Sequence, residues 1–243
     1  MKRNSRSEFQ KPAFPTAKAA RSVSELRNPE NVLRSRVRSI LSVLKRKYPD
    51  ARCALNFSTP EELLVATILS AQCTDNAVNR VTANLFSSYS VPAGLAGAEL
   101  SDIRKIVKPC GYYRQKSRYI REACRLIVRN YNGGVPRTME GLLELPGVAR
   151  KTANVVLSVA FGINEGIAVD THVLRLSVRL GLVTVKNATA AERQLMEIVD
   201  TKHWGDFTTL LIAHGRTICR ARKPLCASCA LNKLCPSAFN FND

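Results

Sequence analysis

An all-α fold is predicted by three features of the sequence. Apolar residues recur at the helical period through most of the chain, Asn and Thr caps with Pro at first helical positions mark segment starts, and no alternating apolar–polar run is bounded by hairpin turns. At 243 residues, 45% of them hydrophobic, the chain can bury one large core or two modest ones. No apolar run is long enough to span a membrane.

Residues 1–29 hold Lys2, Arg3, Arg6, Lys11, Lys18, Arg21 and Arg27 among Ser, Pro and Ala, and read as a disordered basic tail for solvation or loose DNA contact. A transit peptide would need amphipathic spacing, which is lacking. Asn28-Pro29-Glu30 caps a first helix in which Val32, Leu33, Val37, Ile40, Leu41 and Leu44 face away from Arg34, Arg38 and Lys45. Thr59-Pro60-Glu61-Glu62 is a capping box ahead of Leu63, Leu64, Ile68 and Leu69, a helix apolar on most faces and therefore expected to be central. Ser101 opens a short helix that Pro109 stops, and a further helix over 119–131 ends at Asn132-Gly133-Gly134. A helix ending at Leu145 is followed by a tight Pro146-Gly147-Val148 turn, after which Ala153, Val155, Val156 and Val159 resume helical spacing. Asp170 precedes a helix over 173–180, and Thr189 with Glu192 forms a second capping box.

The charge balance, 37 Lys+Arg against 19 Asp+Glu for a net +18, gives a folded protein a basic surface suited to a polyanion. Ribosome binding, membrane surfaces and plain solubility would use the same charge. Cys219, Cys226, Cys229 and Cys235 follow the spacing C-x6-C-x2-C-x5-C within one basic loop. Four thiolates so close in sequence suit either an iron–sulfur cluster or tetrahedral zinc. Cys53, Cys73, Cys110 and Cys124 are scattered through apolar segments and no secretory signal is visible, so the compartment is read as reducing.

The turn at Gly147 and Ala149 exposes backbone N–H groups at a helix N-terminus, where the dipole and the unpaired donors favour a phosphate. This is a helix-hairpin-helix arrangement, with an ordinary helical hairpin as the alternative. Lys151 follows Arg150 in the first turn of the second helix. The helix dipole and desolvation in a DNA cleft both favour its neutral, nucleophilic amine, whereas phosphate contact is the plainer role of such a lysine. Asp170, in Val169-Asp170-Thr171-His172, is an N-cap that can also stabilise positive charge on a sugar or take up a proton. His172 and His214 have no visible ligand set and are read as structural.

Four segments in this order, LSAQCTD over 69–75, LPGVARKTAN over 145–154, VDTH over 169–172 and the four-cysteine loop, resemble the endonuclease III family of bifunctional DNA glycosylases and abasic-site lyases. The resemblance covers about residues 30–236. It implies two helical domains with a DNA cleft between them: a six-helix barrel over 53–164, and a second domain of 30–52 with 165–236 holding a [4Fe-4S] cluster on the four cysteines. It also implies damaged double-stranded DNA as the partner, Lys151 as nucleophile, Asp170 as its electrostatic and proton-transfer partner, Gln72 as the residue filling the gap left by a flipped nucleotide, and Tyr112 as a wedge in the opposite strand. Gly147, Ala149 and Arg150 would contact DNA at the hairpin. A monomer suits such a cleft, and the setting is cytoplasmic and nucleoid-associated.

Two positions depart from the family pattern. Ala149 replaces the second glycine of the hairpin and leaves less room for a phosphate. Tyr112 stands where an aliphatic residue is common and can stack on a base. An adenine-mispair glycosylase would lack Lys151 and carry a further domain, and a non-catalytic iron–sulfur DNA-binding module would need neither Lys151 nor Asp170.

Overall fold

A computed structural model describes residues 28–241, and all regular structure among them is helical. The basic tail expected over 1–29 lies outside the described residues except for its last two. Helix α1 spans Pro29–Lys47, and Asn28 caps it by accepting from the Glu30 N–H. Helices α2 (Pro60–Ser70), α3 (Asp75–Ser88), α4 (Ala93–Gly97), α5 (Leu100–Val107), α6 (Tyr113–Asn130), α7 (Met139–Leu143) and α8 (Arg150–Phe161) follow. The chain closes with α9 (Thr171–Arg179), α10 (Ala188–Ile198), α11 (Trp204–Thr217) and short 3-10 turns at Cys226–Ser228 and Asn232–Leu234.

Two apolar cores organise these elements. The first draws on residues between Leu55 and Leu157, with Leu64, Leu69, Leu85, Ile103, Ile120 and Leu142 inside it. Helix α2 runs through it with every residue from Leu63 to Leu69 buried, the central place its all-round apolar character predicts. Its capping box holds in a shifted form: Thr59 accepts from the Glu62 N–H, and Glu62 reaches past Thr59 to the Ser58 N–H at 2.6 Å. The second core joins Val37, Ile40 and Leu44 of α1 to Val173, Leu176, Leu195, Phe207 and Leu211 from the C-terminal helices. Burying a side chain of the size of Phe207 contributes about 1.5–3 kcal/mol, so the second core rests on a few large residues gathered from both ends of the described chain.

Several boundaries differ from the sequence reading. Helix α6 begins at Tyr113 rather than near 119, because its first turns are polar and bury Lys116 and Ser117. Helix α5 starts at Leu100 with Ser101 already inside it, and α7 ends at Leu143. Asn187, not Thr189, caps α10 by accepting from the Ala190 N–H at 2.8 Å. Glu192 is thereby released from a capping role and is buried against α8 instead.

Candidate active site and nucleic-acid interface

Between the two cores lies a pocket lined by Lys151, Asn154 and Ser158 of α8, Asp170 before α9, Asp75 of α3 and Thr208 and Arg216 of α11. Lys151 is exposed at its rim, one residue into α8. Asp170 is half-buried, and its Oδ1 accepts from the Val173 N–H at 2.7 Å, so the predicted N-cap forms and fixes the carboxylate beside the pocket. Lys151 and Asp170, 19 residues apart in sequence, are thus brought to one cavity by the hairpin and the loop that follows it.

The hairpin turn depends on Gly147. Its φ is +83°, and a Cβ there would meet the Tyr119 side chain at 2.9 Å, so both backbone and space require glycine. Ala149 occupies the N-cap position of α8 in an extended conformation and supplies no side-chain cap, leaving the first-turn N–H groups of α8 without a side-chain acceptor there. Arg150 turns away from this edge. Its Nε donates to both oxygens of Glu192 at 3.0 and 3.1 Å and its Nη2 to the Glu165 carbonyl, so the guanidinium already has a carboxylate partner.

Sequence reasoning missed the polar frame beneath the pocket. Asn154, 2% exposed, donates to Glu192 Oε1 at 2.8 Å, while its Oδ1 has no partner among the described residues. Gly166 leaves no room for a Cβ above this pair, which explains a glycine in an otherwise ordinary loop. Across the pocket an ion pair between Arg216 and Asp75 ties α11 to the start of α3. The sequence does offer one signal: Asn154 is a polar residue one turn after Lys151 on a buried helical face. The pairings themselves span 38 and 141 residues and leave no local mark. His172 lies close to Asp170, Arg216 and Asp75, and burial is the leading reason its pKa is lowered, with the carboxylates opposing.

Gln72 and Tyr112 share an unusual backbone. Gln72 has φ 52° in the turn after α2, and Tyr112 has φ 57° immediately before α6, where the residue is 69% exposed. Non-glycine residues held in the left-handed region cost of order 1–3 kcal/mol, and they persist where surrounding structure over-determines them. The two turns are adjacent, since a Cβ on Gly111 would lie 3.9 Å from the Gln72 carbonyl oxygen.

All four C-terminal cysteines line one apolar cavity together with Leu176, Leu231 and His214. The loop carrying them has little helix of its own and is held by arginines donating to its carbonyls: Arg36 to Leu234, Arg175 to Cys219, and Arg179 to Arg220 and Ala221. Arg179 Nη1 also approaches Cys219 Sγ at 3.3 Å and the Leu231 N–H approaches Cys229 Sγ at 3.4 Å. His214 Nε2 lies 3.4 Å from Cys229 Sγ while its Nδ1 faces the Tyr48 hydroxyl at 2.9 Å, and burial pushes the imidazole down to about 4. Donors aimed at sulfur and a dry lining fit thiolates that carry charge to a soft metal group. Among the described residues, no three His, Cys, Asp or Glu side chains are gathered as a single ion would need.

Comparisons with known proteins agree on one family. Residues 65–201 match the model of the HhH-GPD superfamily base excision DNA repair protein. Endonuclease III of Synechocystis sp. is 51% identical over 205 residues, covering 84% of this chain and 94% of that protein. Endonuclease III of Escherichia coli is 42% identical over 196 residues, 81% of this chain and 92% of that one. Among solved structures, a trapped endonuclease III–DNA covalent intermediate superposes with a TM-score of 0.79 at 42% identity, covering 84% of this chain and 96% of that chain. A thermostable thymine-DNA glycosylase shares the fold at 24% identity and a TM-score of 0.74, over 88% of this chain and 100% of that one.

Proposed function

We infer the reaction from one premise: this chain belongs to the endonuclease III family, within the HhH-GPD superfamily of base excision DNA repair proteins. It is a base excision repair DNA glycosylase and abasic-site lyase. The substrate we assign is an oxidised pyrimidine in duplex DNA, extruded into the pocket between the cores. Extrusion costs a few kcal/mol of stacking and pairing, least for a lesion that already stacks poorly. Gln72 fills the space the nucleotide leaves, Tyr112 wedges the opposite strand, and the first-turn N–H groups of α8 with the turn at Gly147 hold a phosphate.

Lys151 then attacks C1′ as the base departs. Lys151, exposed at the rim of the pocket, is covered once DNA closes it. Asp170, fixed by its cap bond, stabilises the cationic sugar and takes part in proton transfer. The C1′–O4′ bond then breaks, O4′ takes a proton and the opened sugar is left as a Schiff base on Lys151, which acidifies the C2′ proton so that the 3′ phosphate leaves by β-elimination. The observation that carries this reading is that Lys151 and Asp170 line one pocket.

The two cores support a division into a barrel domain over 53–164 and a second domain of 30–52 with 165–236. Cys219, Cys226, Cys229 and Cys235 would hold a [4Fe-4S] cluster, which supplies cross-linking of the loop when bound and no step of base removal. Arg179, His214 and the Leu231 N–H would donate to its ligating sulfurs. The protein would act as a cytoplasmic, nucleoid-associated monomer.

Borohydride reduction during reaction with an abasic-site duplex should trap a covalent complex with the parent protein. Lys151→Gln should bind the duplex yet give no trapped complex and no strand cleavage. A trapped complex of undiminished yield in that variant would remove Lys151 from the role.

A further inference from the structure

Beneath the turns that present Gln72 and Tyr112 lies a group of three side chains that base excision does not use. Cys73 follows Gln72, and Cys110 precedes Tyr112 by two residues. The two turns that carry Cys73 and Cys110 are adjacent, Gly111 lying against the Gln72 carbonyl, the two thiols are close enough to influence each other, and both are free. Cys110 is fully buried in the first core, whereas Cys73 packs against that core while remaining partly open to solvent. Lys116, 4% exposed, donates to the Leu69 carbonyl at 2.8 Å and places its charge near both sulfurs. A buried lysine beside two neighbouring thiols, one of them reachable, is more than packing calls for, since burial disfavours its charge and the two sulfurs favour it.

We propose that Cys73 and Cys110 are a reversible disulfide site, oxidised by hydroperoxide, that staples the turn after α2 to the turn before α6. The Cys73 thiolate attacks a peroxide oxygen, the O–O bond breaks, and one oxygen stays on sulfur as sulfenic acid while the other leaves as water. The Cys110 sulfur then attacks the Cys73 sulfur, the S–S bond forms, the S–O bond breaks, and a second water leaves with the remaining proton. Two thiols lose two electrons and one hydrogen peroxide becomes two waters. The Lys116 side chain assists the second step, because burial, reinforced by the neighbouring Cys73 thiol, pushes the Cys110 thiol up to about 11 and the positive charge of Lys116 opposes that push. A low-molecular-weight dithiol reverses the bond.

The consequence for activity rests on the proposed role of Gln72 and Tyr112: a staple between their turns would hinder the rearrangement that accompanies nucleotide extrusion. The full-length protein, with whatever cluster it carries, is treated with hydrogen peroxide, blocked with N-ethylmaleimide and mapped by peptide mass. A Cys73–Cys110 linked peptide pair that dithiothreitol separates is expected, and recovery of both cysteines as singly blocked peptides would overturn the proposal. In parallel, cleavage of an abasic-site duplex should slow several-fold after peroxide and recover with dithiothreitol. Cys110→Val, which keeps the buried volume, should cleave at the untreated parent rate and be indifferent to peroxide. Equal slowing of that variant would assign the effect to damage elsewhere and overturn control by the staple. Absence of cleavage by the reduced parent would fail the functional reading instead, and the peptide map would still decide the disulfide.

Discussion

The two cores solve the same problem by different means. The first is gathered from one continuous stretch, with α2 at its centre and aliphatic side chains meeting on every side of that helix. The second closes α1 onto helices more than a hundred residues later, and its cysteine loop contributes a few apolar side chains and a set of carbonyls clamped by Arg36, Arg175 and Arg179. The difference teaches that apolar burial supports the turns at Gln72 and Tyr112, while the loop beside the second core depends on polar clamps. The candidate active site lies where the two meet.

Removing one of the four cysteines proposed to hold a cluster should have the largest effect. In Cys226→Ser the second core should lose on the order of 5 kcal/mol or more, as thiolate-bound metal sites that fold small domains do. The single tryptophan, Trp204, is buried in that core, so its emission should shift to the red at a temperature where far-ultraviolet circular dichroism still reports a folded barrel. A single coincident transition would break the comparison.

Core truncations come next. Phe207→Ala should cost about 3–5 kcal/mol and Leu69→Ala about 2–5 kcal/mol. If the cores are energetically separate, Phe207→Ala moves the Trp204 urea midpoint and Leu69→Ala does so much less. Equal movement would mean one cooperative unit.

Glu192→Ala tests the seam. It strands the buried Asn154 amide and frees the half-exposed Arg150, for a loss of about 1–3 kcal/mol. The transitions of the two cores should separate further in the urea titration of this variant, and unchanged spacing would show that the seam does not couple them.

The smallest effect is confined to alkaline solution. Burial pushes the Cys124 thiol from 9.0 up to about 12. A group whose folded pKa is raised gives stability that is complete below the unfolded value and is lost as pH climbs through the folded one, here from about 9 toward 12. Cys124→Val should match the parent at pH 7 and show a shallower alkaline decline in urea titrations. An identical decline would locate that sensitivity elsewhere, with Cys53 and Cys110 next in line because their pKa values are also raised.

Much of this comparison is legible in the sequence where the signal is local. The all-round apolar face of α2 places it in the centre, the Asp170 cap is written in its position before an apolar-periodic helix, and the cysteine spacing marks a shared site. Signals that depend on distant partners are not legible. Thr189 and Glu192 have the pattern of a capping box, yet Asn187 takes the cap because its side chain reaches the Ala190 N–H, and Glu192 finds partners 38 and 42 residues away. Helix α6 hides its first turns because they bury a lysine that a carbonyl from α2 satisfies. The left-handed residues of the turns after α2 and before α6, Gln72 and Tyr112, are not themselves glycines, and Gly111 beside Tyr112 does not mark which residue takes the positive φ.

The grip of Arg36 on the Leu180 and Leu234 carbonyls also sets an order of events during synthesis. The residues of the first core, from Leu55 to Leu157, have all left the ribosome while α1 still waits for its partners. Domains complete themselves as units in the order they emerge, and contacts across long loops form late. The barrel should therefore be finished first, with α1 unclaimed until the cysteine loop arrives to receive it. Nascent chains stalled far enough beyond residue 164 for Leu157 to have cleared the ribosome, but short of releasing α11, should protect the first core from proteolysis and leave α1 open to cleavage, and early protection of α1 would reverse that order.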